Sequence, residues 1–282
     1  MLEIKKKNML INVFDDISDL YDFIKNIPRR QKASKESVDN SNSFCGGVTY
    51  EQAVDIMRYG DENLFKKILD KKKKTDISQI LGQSVKRRKQ NNDIVGFTAN
   101  VPAYLSGNPM AMINRNDLRE SHKILNICLS ADVSAFVRDN EVQEAGTVYL
   151  NIIDILEKLN YRCNLYVTYC VNTGCGERIY FLVRVKTDRE PLNIKKMAFP
   201  IAHVGMFRRI GFHWIESCNC DTEPTDCGYG RPIDDWSDNK KILDKELKKD
   251  FIVLNYQDSD GVSIEGALKC LKEQGLKLDI EL

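Results

Sequence analysis

Ile124-Leu125-Asn126-Ile127-Cys128-Leu129-Ser130-Ala131-Asp132-Val133-Ser134 is the stretch that decides the fold. An apolar run followed at once by oxygen-bearing side chains at alternate positions reads as a buried strand. Strands of an open α/β sheet present functional groups at their carboxyl ends, where the loops open into the crevice used for ligands. Ser130, Asp132 and Ser134 are therefore candidate site residues, placed by position before any reaction is named.

Downstream, Val148, Ile152, Ile155, Leu156 and Leu159 recur at helical spacing and predict a helix over 147–160. Strands are expected at 162–171 and 178–186, and the short Gly-bearing link Asn172-Thr173-Gly174-Cys175-Gly176-Glu177 joins them as an antiparallel hairpin. A helix at 193–207, a strand Ile210–Glu216, a long polar loop to Asp238, a charged helix at 239–249, a strand Phe251–Tyr256 and a helix Ser263–Gln274 complete the pattern. Strands alternating with helices predict an α/β fold of three layers, its mostly parallel sheet covered on both faces and edged by the antiparallel hairpin.

Upstream the signals are helical. Phe14, Ile17, Leu20, Tyr21, Ile24 and Ile27 form one stripe, closed by Pro28-Arg29-Arg30. Residues 32–43 are rich in Lys, Ser, Asn and Asp and read as a mobile loop. Thr49-Tyr50-Glu51-Gln52 has capping-box spacing ahead of Ala53, Ile56 and Met57, and Gly60 closes that helix. Charged helical segments follow at Asp61–Lys73 and Asp76–Lys89. Residues 94–118 carry Gly96, Pro102, Gly107 and Pro109 among apolar side chains and read as an irregular connection packed on the core. The expected organisation is a helical N-terminal region at 1–93, this connection at 94–118, and an α/β domain at 119–282.

Across 282 residues, 42 Lys and Arg balance 41 Asp and Glu, so no global field points to nucleic acid or to a membrane. No stretch approaches the ~18 apolar residues of a membrane span. Met1-Leu2-Glu3-Ile4-Lys5-Lys6-Lys7 lacks the apolar segment of a signal peptide, so an intracellular protein is expected. Nine cysteines, an odd number, then argue for thiols or a metal site over a disulfide framework.

Strand, oxygen-rich loop, helix, hairpin, helix, strand is the order of a von Willebrand factor A domain. Ala145-Gly146-Thr147, Asp154-Ile155-Leu156-Glu157-Lys158-Leu159 and Arg208-Arg209-Ile210 resemble the version found in cobaltochelatase subunits, over roughly residues 120 to 256. Through Val101-Pro102-Ala103-Tyr104-Leu105-Ser106-Gly107-Asn108-Pro109 and Gly228-Tyr229-Gly230-Arg231-Pro232, the whole chain resembles an uncharacterised family carried by bacteriophages. That second resemblance implies the host cytoplasm, or association with the virion, and no activity. The first implies a divalent ion held by an Asp-x-Ser-x-Ser run, a Thr from a later loop and an Asp after the fourth strand. The matching run here is Ser130-Ala131-Asp132-Val133-Ser134, with Ser and Asp exchanged, and Thr168 and Glu216 are the nearest positions for the remaining ligands. Oxygen donors of this kind suit Mg²⁺ or Mn²⁺, bound weakly because so few are carboxylates.

Other constellations stay open between two readings. His213, Cys218, Cys220 and Cys227 gather four soft ligands that could hold Zn²⁺, although Cys-x-Cys is a poorer knuckle than Cys-x₂₋₄-Cys; the alternative is reduced thiols. Tyr229 and Arg231 in a Gly-rich loop suit a partner or an anion, or else form a tight turn in which Arg231 pairs with Asp234 or Asp235. Arg208 and Arg209 clamp an anion or close their helix. No histidine accompanies a nucleophile.

The leading expectation is accordingly a phage-encoded interaction protein, an adaptor or assembly factor without catalysis, that binds a phage or host protein through the crevice around 130–134 and the 218–235 loop. One alternative is a nucleic-acid-associated protein using the runs Lys71-Lys72-Lys73-Lys74 and Lys86-Arg87-Arg88-Lys89 with a zinc-stapled loop. Another is a metal-dependent phosphoester or nucleotide enzyme, which requires Asp132, Glu216 and a further carboxylate such as Asp221 to converge.

Overall fold

The computed structural model describes residues 1–27, 43–74, 91–96, 98–114, 123–134, 136–172, 176–218, 236–255, 263–276 and 278. In chain order the elements are β1 (Leu2–Lys6), β2 (Met9–Phe14), α1 (Ile17–Asn26), a 3₁₀ turn (Ser43–Cys45), α2 (Tyr50–Tyr59) and α3 (Glu62–Lys74). Then come β3 (Asn91–Asp93), β4 (Thr98–Ala99), α4 (Val101–Leu105), β5 (Met112–Asn114), β6 (Lys123–Ser130) and α5 (Asp139–Lys158). The chain continues with β7 (Tyr161–Asn172), β8 (Arg178–Lys186), α6 (Ile194–Ala202), a π-helical turn (Met206–Gly211) running into α7 (Phe212–Ser217), α8 (Ser237–Leu247), β9 (Phe251–Asn255) and α9 (Ile264–Glu273).

The decisive strand, β6, lies inside a six-stranded sheet of order β1-β2-β8-β7-β6-β9. It is flanked by β7 and β9, both parallel to it. The protein is α/β, as expected, but the sheet is mixed. The β7–β8 hairpin is not its edge: β2 pairs in parallel with β8, and β1 closes antiparallel on β2. The burial of β8 from Ile179 to Val183 explains this, since an edge strand leaves one side to solvent, whereas here both neighbours are strands. The N-terminal region thus begins with two strands of the main sheet. Leu10 to Phe14 are all buried, apolar on both sides except for Asn12, which is how a strand inside a sheet reads rather than a helix.

One sheet face carries Ile127, Leu129, Val167, Tyr169 and Phe181 against α1, α2, α3, α5, α6 and α9. The other carries Cys128, Tyr166, Cys170, Tyr180 and Leu182 against α8 with Trp236 and Leu243. Helix α2 has the expected cap: Gln52 N–H donates to Thr49 Oγ1 at 3.2 Å and Thr49 N–H to Gln52 Oε1 at 2.9 Å. Helix α5 starts well before 147, because Arg138 N–H donates to Glu141 Oε2 at 2.9 Å and opens the first turn there. Gly146 lets α5 and α6 touch by backbone; a Cβ there would meet Ala202 Cα at 2.7 Å.

Ile210–Glu216, expected as a strand, is helical. Except for Phe212, Met206 to Ile215 are buried, with Arg208, Arg209 and His213 among them, so no solvent-facing side marks a period of two or of 3.6. Of the region 94–118, expected as an irregular connection, the described part, to Asn114, instead joins Asn91–Asp93 in a three-stranded sheet of order β3-β5-β4 with α4. The loop around 32–42 lies outside the described residues.

Candidate functional site

Ser130, the last residue of β6, stands in register between Thr168 of β7 and Asn255 of β9. Its hydroxyl donates to the Asp132 carboxylate in a short hydrogen bond, and both residues are buried. Ala131 N–H donates to Thr168 O at 3.0 Å, so β6 is held to β7 one residue past its end. From α5, Tyr149 Oη donates to Asn255 O at 2.8 Å. Asn255 is the residue sequence reasoning missed here: it ends the apolar run Phe251–Leu254 just as Ser130 ends its own.

Thr168 lies in the middle of β7, and its Oγ1 donates to Phe181 O at 2.9 Å. A ligand Thr of the A-domain kind would come from a loop. Glu216 sits on α7, not after a strand, and is buried. Next to Thr168, Tyr169 is fully buried on the face of Ile127 and Leu129, and its Oη has no hydrogen-bond partner among the described residues. Burial first, and the Asp132 charge second, raise the Tyr169 phenol well above its usual value; the Cys170 thiol is raised for the same two reasons. The strand end therefore offers one carboxylate, already bonded to Ser130, and a committed Thr hydroxyl. That donor set does not fit a divalent ion held in the A-domain manner, and among the described residues no group of three or more His, Cys, Asp or Glu gathers to hold a metal.

The loop beyond Ser134 is built by Arg208. This arginine of the π-helical turn is buried, and its Nη2 donates to Ser134 O at 2.7 Å and Val137 O at 2.8 Å. Its Nη1 donates to Phe44 O at 2.6 Å, with the guanidinium 4.4 Å from the Phe44 ring centroid. Burial lowers its pKa, opposed by the Cys45 and Asp139 charges. Arg209 is also buried and donates from Nε to Val48 O at 3.1 Å. Both arginines turn inward to backbone carbonyls, so neither presents an anion clamp to solvent. Between Ser134 and Val137, Phe136 is 94% exposed.

Behind this loop, His203 closes α6. Gly205 N–H donates to His203 Nδ1 at 2.9 Å, which places the ring proton on Nε2, 3.9 Å from Asp139 Oδ1. Gly46, at φ +70°, packs so tightly here that a Cβ would meet His203 Cε1 at 2.7 Å. Burial lowers the His203 pKa, helped by Lys67 and opposed by Asp139 and Asp61. A second proton would have to occupy Nδ1 and expel the Gly205 donor. Since the folded pKa lies below the unfolded value of about 6.5, the unfolded chain binds more protons, and this contribution is present above pH ~6.5 and lost as pH falls. His203→Asn, which keeps an acceptor for Gly205, is expected to flatten the fall in urea midpoint between pH 7 and pH 5. An unchanged slope would remove His203 as its source.

A family model matches residues 3–278. The chain belongs to the DUF7192 family, a domain of unknown function. No curated protein and no solved structure matches it. The match runs from β1 to the last described residues, so in DUF7192 the β1–β2 pair and the β6 strand end fall within one family domain.

Of the remaining candidates of the DUF7192 chain, His213, Cys218 and Lys71–Lys73 lie among the described residues. His213 stacks on Tyr50 with ring centroids 5.1 Å apart, and its Nε2 is 3.4 Å from Ile27 O. Cys218 instead lies 3.9 Å from the Asn12 amide, which is oriented with its oxygen toward Trp214 Nε1 at 3.1 Å. Cys220, Asp221, Cys227, Tyr229 and Arg231 lie outside the described residues. So does the Lys86–Lys89 run. Lys71, Lys72 and Lys73 of α3 reach Glu144 at 3.6 Å, Asp154 at 2.7 Å and Asp70 at 3.9 Å, which spends much of that run on acids, two of them in α5. The described cysteines are free thiols. No helix among the described residues is long and apolar enough to cross a membrane.

Proposed function

We propose that this DUF7192 protein is an adaptor or assembly protein without catalysis, which binds a protein partner at the carboxyl end of β6. Phe136 carries the reading. An aromatic ring almost wholly in water gains nothing for the fold, yet its loop is held at Ser134 and Val137 by a buried guanidinium. A large apolar side chain on a rigid support is the composition of a binding hot spot, because little conformational entropy remains to be lost on docking. Phe44, 38% exposed, has its own carbonyl held by the same arginine.

An A-domain ancestry of the core is part of this proposal. It is supported by β6 lying between two parallel neighbours, with β7 and β8 as an antiparallel pair, and by Ser130 at the end of β6 and Asp132 just beyond it. The whole-chain resemblance to phage proteins makes a phage or host protein in the host cytoplasm the partner, with the virion as a second location.

Affinity capture from phage-infected lysate tests the reading. Wild-type protein is expected to retain a defined protein that Phe136→Asp loses, while the variant unfolds within about 0.5 kcal/mol of wild type, as surface substitutions do. The same proteins captured by both forms would refute a docking role for Phe136.

A further inference from the structure

Residues 91–114 present a second apolar surface of different character. Ile94 and Val95 follow β3, Val101, Tyr104 and Leu105 lie on α4, and Met110 precedes β5; each is at least half exposed, with Leu105 at 79% and Tyr104 at 71%. The small sheet brings them toward one end. Asp93 pairs with Met112, Asn100 N–H donates to Ala111 O at 2.7 Å, and the Asn100 amide donates to Asn92 Oδ1 at 3.1 Å, so the residues on either side of β3, β4 and β5 meet near Ala111. The apolar side chains stay outside the main core.

Charge decides what could cover them. In a chain that is 29% charged, the 24 positions from Asn91 to Asn114 hold a single charged residue, Asp93. Nucleic acid and an anionic bilayer both require Lys or Arg on the contacting surface, and the stretch 91–114 supplies none of its own. Unlike protein partners are commonly selected by complementary charge, which this surface also lacks. A neutral apolar patch does not repel its own copy, and homodimer interfaces are the more apolar class. Six such side chains, each exposing on the order of 100 Å², approach the ~800 Å² per partner of a standard interface.

We infer that residues 91–114 form a self-association surface, on which a second copy of this chain docks about a two-fold axis. It shares no residue with the Phe136 loop, and either reading can fail without the other.

Sedimentation velocity of the full chain up to about 100 µM gives the test. Wild type is expected to show a dimer, and Leu105→Arg and Tyr104→Glu each to weaken it at least tenfold, with circular dichroism unchanged. Mixing the two variants is expected to restore association, because the opposed charges then meet across the interface. A monomer throughout the range, or dimers that neither variant weakens, would overturn the inference. So would failure of the mixed variants to associate after each alone has become monomeric.

Discussion

Glu157→Leu is expected to destabilise the protein by about 3–5 kcal/mol, the range for stranding one partner of a buried ion pair. Lys186, at the end of β8, has its side chain wholly buried, and its Nζ lies 2.6 Å from Glu157 Oε1. The same ammonium donates to Cys163 O at 3.1 Å and Thr187 O at 3.0 Å. The surroundings are dry: burial, with Glu157's charge second and Lys186 opposing, pushes the Cys163 thiol up to about 12. Removing the carboxylate leaves the ammonium with two carbonyls and no counter-charge. Lys186→Met is expected to lose less, because Glu157 keeps 16% of its side chain in contact with water. The double variant Glu157→Leu with Lys186→Met is expected to recover most of the loss, since an apolar pair can replace a buried ionic one. Urea denaturation reads all three; at about 1–3 kcal/mol per molar, the single Glu157 change should move the midpoint by about 2 M. A midpoint equal to wild type would mean that the pair contributes nothing.

Arg208→Ala is expected to remove about 3 kcal/mol and, more specifically, to loosen two segments at once. Its guanidinium spans Phe44 O, Ser134 O and Val137 O, three carbonyls on two stretches of chain. Lysine presents one point of charge in place of a planar fork, so Arg208→Lys should fall between the two. Limited chymotrypsin digestion separates local from global effects. Cleavage after Phe136 and Phe44 should accelerate well beyond the fall in global stability, and partner capture should weaken with it. Cleavage that rises only in proportion to global unfolding would show that Arg208 does not hold the loop.

Much of the chain's local structure is legible from residues a few positions apart. Thr49 and Gln52 announce the start of α2, and the apolar run before Ser130 announces β6 and the place where a site would open. Strand pairing sets Thr168 beside Ser130 as the ligand pattern needs, but commits its hydroxyl to Phe181 O. Ser130 and Asp132 are close because they are two residues apart, whereas Glu216 ends a stretch that reads as a strand and is in fact a helix, which local pattern does not reveal. The segment 206–217 escaped because it is buried on nearly every side, with Arg208, Arg209, His213 and Glu216 buried among the apolar side chains, so its polar residues do not mark a solvent face from which helix could be told from strand.

The sequence by itself determined the α/β class, the helix caps, the balanced charge and the position of a strand end rich in oxygen. Those properties follow from backbone preference and from burial patterns that repeat over a few residues. Only the tertiary structure decided that β2 enters the sheet beside β8, that Arg208 serves three carbonyls instead of an anion, and that Phe136 and the 91–114 surface remain in water. Each of these depends on which distant segments meet, and a buried guanidinium and an exposed one are written with the same letter.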